Sequence, residues 1–153
     1  MSTVESTVST VVVAGAAELN DAISDIFQQR SANLPFIDLY RTAFRMVSAR
    51  KGNVLYEGLR GQITAHVDRL AAKVMLNEDA NVFIKELCDG WSFHCLAMLM
   101  VRDILMFADR GYVSTVAGLP TIYDLGLTVF GDKFTTTDNS VNGSDIVVTR
   151  VKT

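Results

Sequence analysis

From Ala80 to Tyr112 the sequence contains no proline and one glycine, Gly90. So long an unpunctuated segment reads as one helix, or as two end to end with a bend near Trp91–His94. Its second half, "CLAMLMVRDILMFADRGYV" (95–113), is nearly solid hydrocarbon, yet it carries Arg102–Asp103 and Asp109–Arg110. A membrane span needs about 20 apolar residues, and the uninterrupted run here is only Cys95–Val101. At ~100° per residue the four charges fall within one arc of ~120°. Met106 sits inside that arc and Phe107 on its flank. Asp103, Phe107 and Arg110 make an i, i+4, i+7 stripe of acid, aromatic and base. The stripe has two readings: a solvated face whose charges neutralise one another, or a docking face anchored by an aromatic ring and an arginine.

The same period runs through the rest of the chain. Leu19, Ile23, Ile26 and Phe27 predict a helix over 16–30. A second helix begins near Pro35, with Asp38 in its first turn and Arg50–Lys51–Gly52 as a basic end and glycine stop. A third covers about 54–76 on a stripe of Leu55, Leu59, Ile63, Val67 and Leu70. Asp79 or Asn77 is placed to cap the long segment. Gly111, Gly118 and Pro120 mark a loop, and "TIYDLGLTVFGDKF" a short last helix ending at Phe134. The expected fold is all-α, five or six helices without a sheet. Residues 1–15 are expected to form a flexible arm, 16–134 the folded unit, and 135–153 a polar, irregular tail.

Composition narrows function mainly by exclusion. A chain of 153 residues suits one domain, and a mean hydropathy of +0.25 is high for one without apolar surface meant for a partner. The net charge of −3 with interspersed signs argues against nucleic acid. No Lys or Arg precedes Arg30, so no signal or transit peptide is expected, and the cytoplasm and nucleus are the expected compartments. Cys88 and Cys95 read as reduced, buried thiols. No phosphate loop, H-E-x-x-H motif or nucleophile elbow is present. His94, close to Trp91 and Cys95, invites a metal reading, but a packing histidine is the commoner outcome. Neither an enzyme, a cofactor nor a metal is expected.

The second helix carries more apolar residues than one core contact needs. Leu39, Ala43 and Met46 can face the domain, which leaves Ile37, Tyr40 and Phe44 on another edge. That edge is either a second covered surface or a docking one.

Together, "LPFIDLYRTAFRMVSARKGNVLYEGLRGQI", "FIKELCDGWSFHCLAMLMVRDILMFADRGYV" and "IYDLGLTVFGDKF" resemble the N-terminal first repeat of a cullin. The class they are similar to recruits BTB-domain adaptors. The most specific pieces are Leu39-Tyr40-Arg41, Leu55-Tyr56-x-Gly58-Leu59, Trp91 and Arg102-Asp103-Ile104-Leu105-Met106, within a resemblance running from Leu19 to Phe134. It implies a five-helix cullin repeat and a non-catalytic scaffold of a ubiquitin ligase. It further implies an adaptor surface on the second and fifth helices. By motif, the second helix contributes Leu34, Phe36, Ile37, Tyr40 and Phe44, and the fifth Asp103, Met106, Phe107 and Arg110.

Several positions depart from the family pattern. Phe44 and Phe107 stand where tyrosine is usual, and Ile37 where glutamate is usual. Each lost hydroxyl forgoes a hydrogen bond of about 0.5–1.5 kcal/mol while leaving the ring. Pro35 replaces a serine cap, and Gly131 an arginine. The chain as given ends after one repeat, so no RING partner and no modification by a ubiquitin-like protein are expected of it. Two further readings accompany the resemblance: a competitor that occupies adaptors unproductively, and a helical protein that self-associates through its apolar surface.

Overall fold

A computed structural model describes residues 2–135. Six α-helices follow one another: α1 Ser2–Phe27, α2 Phe36–Ser48, α3 Gly52–Met75, α4 Ala80–Ile104, α5 Met106–Gly111 and α6 Ile122–Thr135. A 3₁₀ turn at Val113–Thr115 joins α5 to the loop before α6. The described residues contain no strand. The expected tail at 135–153 lies, apart from Thr135, outside the described residues.

The helices pack around one core, with α6 against α3 and α4, and α2 between α1 and α5. Leu19, Ile23 and Ile26 of α1, Leu39, Ala43 and Met46 of α2, and Leu55, Leu59, Ile63 and Val67 of α3 are buried as the helical period requires. The apolar stripe of α4, from Ala97 and Met98 to Val101 and Ile104, fills the centre. Among the described residues no single helix is long and apolar enough to cross a membrane. The bent pair of α4 with 106–115 has the length and composition, but Val101, Ile104, Leu105 and Ala108 are buried within the bundle.

Local chemistry ends most helices where the sequence suggests. Asp79 caps α4, its Oδ1 accepting from Asn81 N at 2.8 Å and Val82 N at 3.2 Å. Arg50 N and Lys51 N donate to the Val47 and Met46 carbonyls, closing α2 with a Schellman motif. The left-handed residue in that motif is Arg50 (φ 60°). Gly52, expected to be the stop, instead opens α3 and lies beneath Tyr112. The end of α1 repeats the motif, with Gln29 at φ 61°.

Three regions add detail to or depart from the expectations. Residues 2–15, expected to form a flexible arm, are helical and make the first turns of α1, with Val4, Val8, Val11 and Val13 exposed. A helix satisfies its own backbone hydrogen bonds, so β-prone composition does not force it open. The long apolar segment stays one continuous helix through Trp91–His94, the first of the two arrangements expected, and breaks instead at Leu105 (φ −99°, ψ 19°), where the axis turns by 65°. That break raises the helix count from five to six. Cys88 is exposed and Cys95 only half-buried, so neither is a core thiol.

Candidate docking face

On α2, Phe36, Tyr40, Phe44 and Ile37 fall within one arc of ~100°, adjoining the arc that enters the core. Three of them are open to solvent: Ile37 by 69%, Phe44 by 43% and Phe36 by 38%. Leu34 and Tyr40 are half-buried, and Leu34 packs on the core from the loop before α2. A doubly covered core helix is thereby excluded.

The bend at Leu105 lays α5 beside α2. The Phe44 and Phe107 rings meet edge to face, with centroids 4.5 Å apart and planes at 69°. Gly111 permits this approach, because a Cβ there would come within 2.8 Å of Val47 Cγ1. The sequence marked Gly111 only as a loop signal and contained no hint of its contact with α2. Met106 is half-buried at the start of α5, and Arg110 is exposed at its end. The structure therefore joins Phe44 to Phe107 in a mostly apolar surface, with Met106 and Arg110 on the same short helix.

Asp103 belongs to the last turn of α4, not to α5. Its carboxylate accepts from Arg102 at 3.0 Å in a solvent-exposed pair, which contributes little to stability. Asp109 leaves the charged arc altogether. The arc assumed a continuous helix, and past the bend Asp109 Oδ1 accepts from Ile122 N at 2.9 Å, satisfying the first turn of α6. Burial pushes its carboxyl above the usual range, partly offset by that hydrogen bond. Thr121 Oγ1 accepts from Asp124 N at 3.2 Å in the same turn, and Tyr56 Oη donates to the Pro120 carbonyl at 2.8 Å. The loop before α6 is thus tied to both α3 and α5.

His94 is a packing residue: it is buried, and its Nε2 lies 2.8 Å from the Gly126 carbonyl. Among the described residues no three His, Cys, Asp or Glu side chains are grouped to hold a metal ion.

A family model described as the cullin alpha solenoid domain matches residues 16–152. The chain belongs to the cullin family. Cullin-3 of Dictyostelium discoideum is 40% identical over 114 residues, which are 74% of this chain and 15% of that protein. Cullin-3 of Caenorhabditis elegans is 34% identical over 112 residues, 73% of this chain and 14% of the relative. Cullin-3B of Arabidopsis thaliana is 36% identical over 114 residues, again 74% and 15%. This cullin chain therefore spans about 15% of the length of the curated relatives it matches. The family match passes Phe134 into the residues read from sequence as a tail.

Proposed function

We propose that the α2–α5 face docks a BTB-domain adaptor, and that the chain acts as the adaptor-binding portion of a cullin ubiquitin-ligase scaffold, without catalysis of its own. The observation carrying this reading is the Phe44–Phe107 ring pair, which joins α2 to α5 at 4.5 Å while Phe44 remains 43% exposed. Buried pairs of this kind serve the core. A half-open pair beside exposed Ile37 and Phe36 presents an apolar centre, with Arg110 and the Arg102–Asp103 pair as a polar rim. That is the anatomy of a protein interface rather than of a ligand pocket. Membership of the cullin family, with Cullin-3 relatives, supports an adaptor of the BTB class.

Capture of purified BTB domains by the immobilised chain tests the proposal. Tyr40→Ala combined with Phe107→Ala is expected to abolish capture while the helical circular dichroism persists. Full capture by the double variant removes the site assignment.

A further inference from the structure

A concave site lies away from the docking face and shares no residue with it. Between the C-terminal half of α3 and the N-terminal half of α4, closed at one end by the last turn of α1, is a cleft of about 460 Å³. That volume is within the range of small-molecule sites, roughly 300–1,000 Å³. Phe27, Leu70 and Phe93 give it an apolar lining.

The polar groups around this lining are unevenly distributed. On the α3 wall, Arg69 and Lys73 lie four residues apart on one face, and neither has an ion-pair partner among the described residues. Like charges at this spacing repel, and an anion between them would relieve the repulsion. On the α4 wall each charged group already has an ion-pair or hydrogen-bond partner. Lys85 pairs with Asp89 at 3.4 Å, and Glu86 accepts from the Asn77 amide. His66, which also lines the cleft, is only 7% exposed, and its Nε2 is buried without a hydrogen-bond partner. Its ring is stacked between Phe27 (centroids 4.4 Å) and His94 (5.6 Å). Burial and the neighbouring His94 and Arg69 keep it neutral, with a pKa lowered to about 4.

We propose that this cleft binds a small organic anion with a flat apolar body, its carboxylate or comparable acid group held by Arg69 and Lys73. The apolar body lies against Phe27, Leu70 and Phe93, beside the His66 ring. Surface charges hold such a group weakly in salt, so binding is strongest at low ionic strength.

The test uses 2-naphthoate as the probe and neutral 2-naphthamide as its comparison, titrated into the whole chain and followed by saturation-transfer NMR. Loss of charge-assisted bonds predicts about tenfold weaker binding of the amide, and about tenfold weaker binding of naphthoate to Arg69→Gln/Lys73→Gln. Thermal melting of that variant should be unchanged, because both side chains are exposed; the single Lys73→Gln variant provides the same comparison with a smaller perturbation. Naphthoate should also shift the His66 ring resonances, and this shift should vanish in the double variant. Equal affinity for the two probes overturns the proposal, as does full binding by the double variant. Loss of binding on Arg45→Gln would do so too, since Arg45 lines a separate groove between α1 and α2.

Discussion

His94 donates its Nε2–H to the Gly126 carbonyl at 2.8 Å, in a part of the core that leaves the imidazole no exposure. The opposite nitrogen, Nδ1, is buried without a partner. The bond thus selects the tautomer and ties α4 to α6, while the ring continues a stack through His66 to Phe27. The histidine at this place joins three helices and is a structural residue.

Acid should loosen this column. Burial holds both imidazoles below their ordinary pKa, with His66 at about 4, and the hydrogen bond to Gly126 only partly offsets the effect at His94. The native state therefore keeps them neutral, and the unfolded chain takes up protons first. Stability is complete above about pH 6.5 and falls as pH drops toward 4, levelling below the folded value. For His66 the full loss is about 3 kcal/mol, at 1.36 kcal/mol per unit. Urea unfolding at pH 7.5, 5.5 and 4.5 measures it, and His66→Phe should flatten the dependence. An unchanged midpoint across this range would contradict the burial argument.

Gly126 of α6 packs directly against Met98 of α4. A Cβ there would stand 2.6 Å from Met98 Cγ, and Met98 is wholly buried. Alanine is the better helix former by about 1 kcal/mol, yet overpacking costs roughly 1–3 kcal/mol. Gly126→Ala should therefore be net destabilising. Combined with Met98→Ala it should cost less than the two single losses added, because the second change vacates the space. Additive losses in denaturant titrations would show that Met98 moves aside freely.

Arg50 occupies the left-handed position of a Schellman motif at φ 60°, where a side chain is strained. Arg50→Gly should stabilise the chain by about 1 kcal/mol, and Arg50→Ala should leave it nearly unchanged. Thermal melts of the three proteins decide between strain and a hidden role for the guanidinium.

Ile37 separates docking from folding. It is 69% exposed, so Ile37→Lys should alter unfolding free energy by no more than about 0.5 kcal/mol. Capture of a BTB domain should nevertheless weaken, since the substitution places a positive charge in an apolar contact. By contrast, a double-mutant cycle of Phe44→Ala and Phe107→Ala should give a stability coupling of about 0.5–1.5 kcal/mol. If Ile37→Lys binds as well as the parent chain, the edge of α2 is not part of the interface.

Helix content and the core faces could be read from the amino-acid order, because burial follows a 3.6-residue period. Leu19, Ile23, Leu39, Leu55 and Ile63 needed nothing else. The exposed edge of α2 was legible as an excess over that period. The break at Leu105 was not, because no proline or glycine marks it. With the break missed, Asp109 was counted with the wrong face. The contact between Gly111 and Val47 was invisible for the same reason: it joins residues far apart in sequence.

By itself the sequence determined an all-helical chain, the residues that each helix turns inward, and a cap at Asn77 or Asp79, of which the structure uses Asp79. Those are local properties, set by periodicity and by hydrogen bonding within a few residues. Tertiary structure alone decided where the long apolar segment bends, that Phe107 meets Phe44, and that Asp109 satisfies the start of α6. Each depends on which surfaces are buried together, a comparison between distant segments that becomes available only when the helices pack.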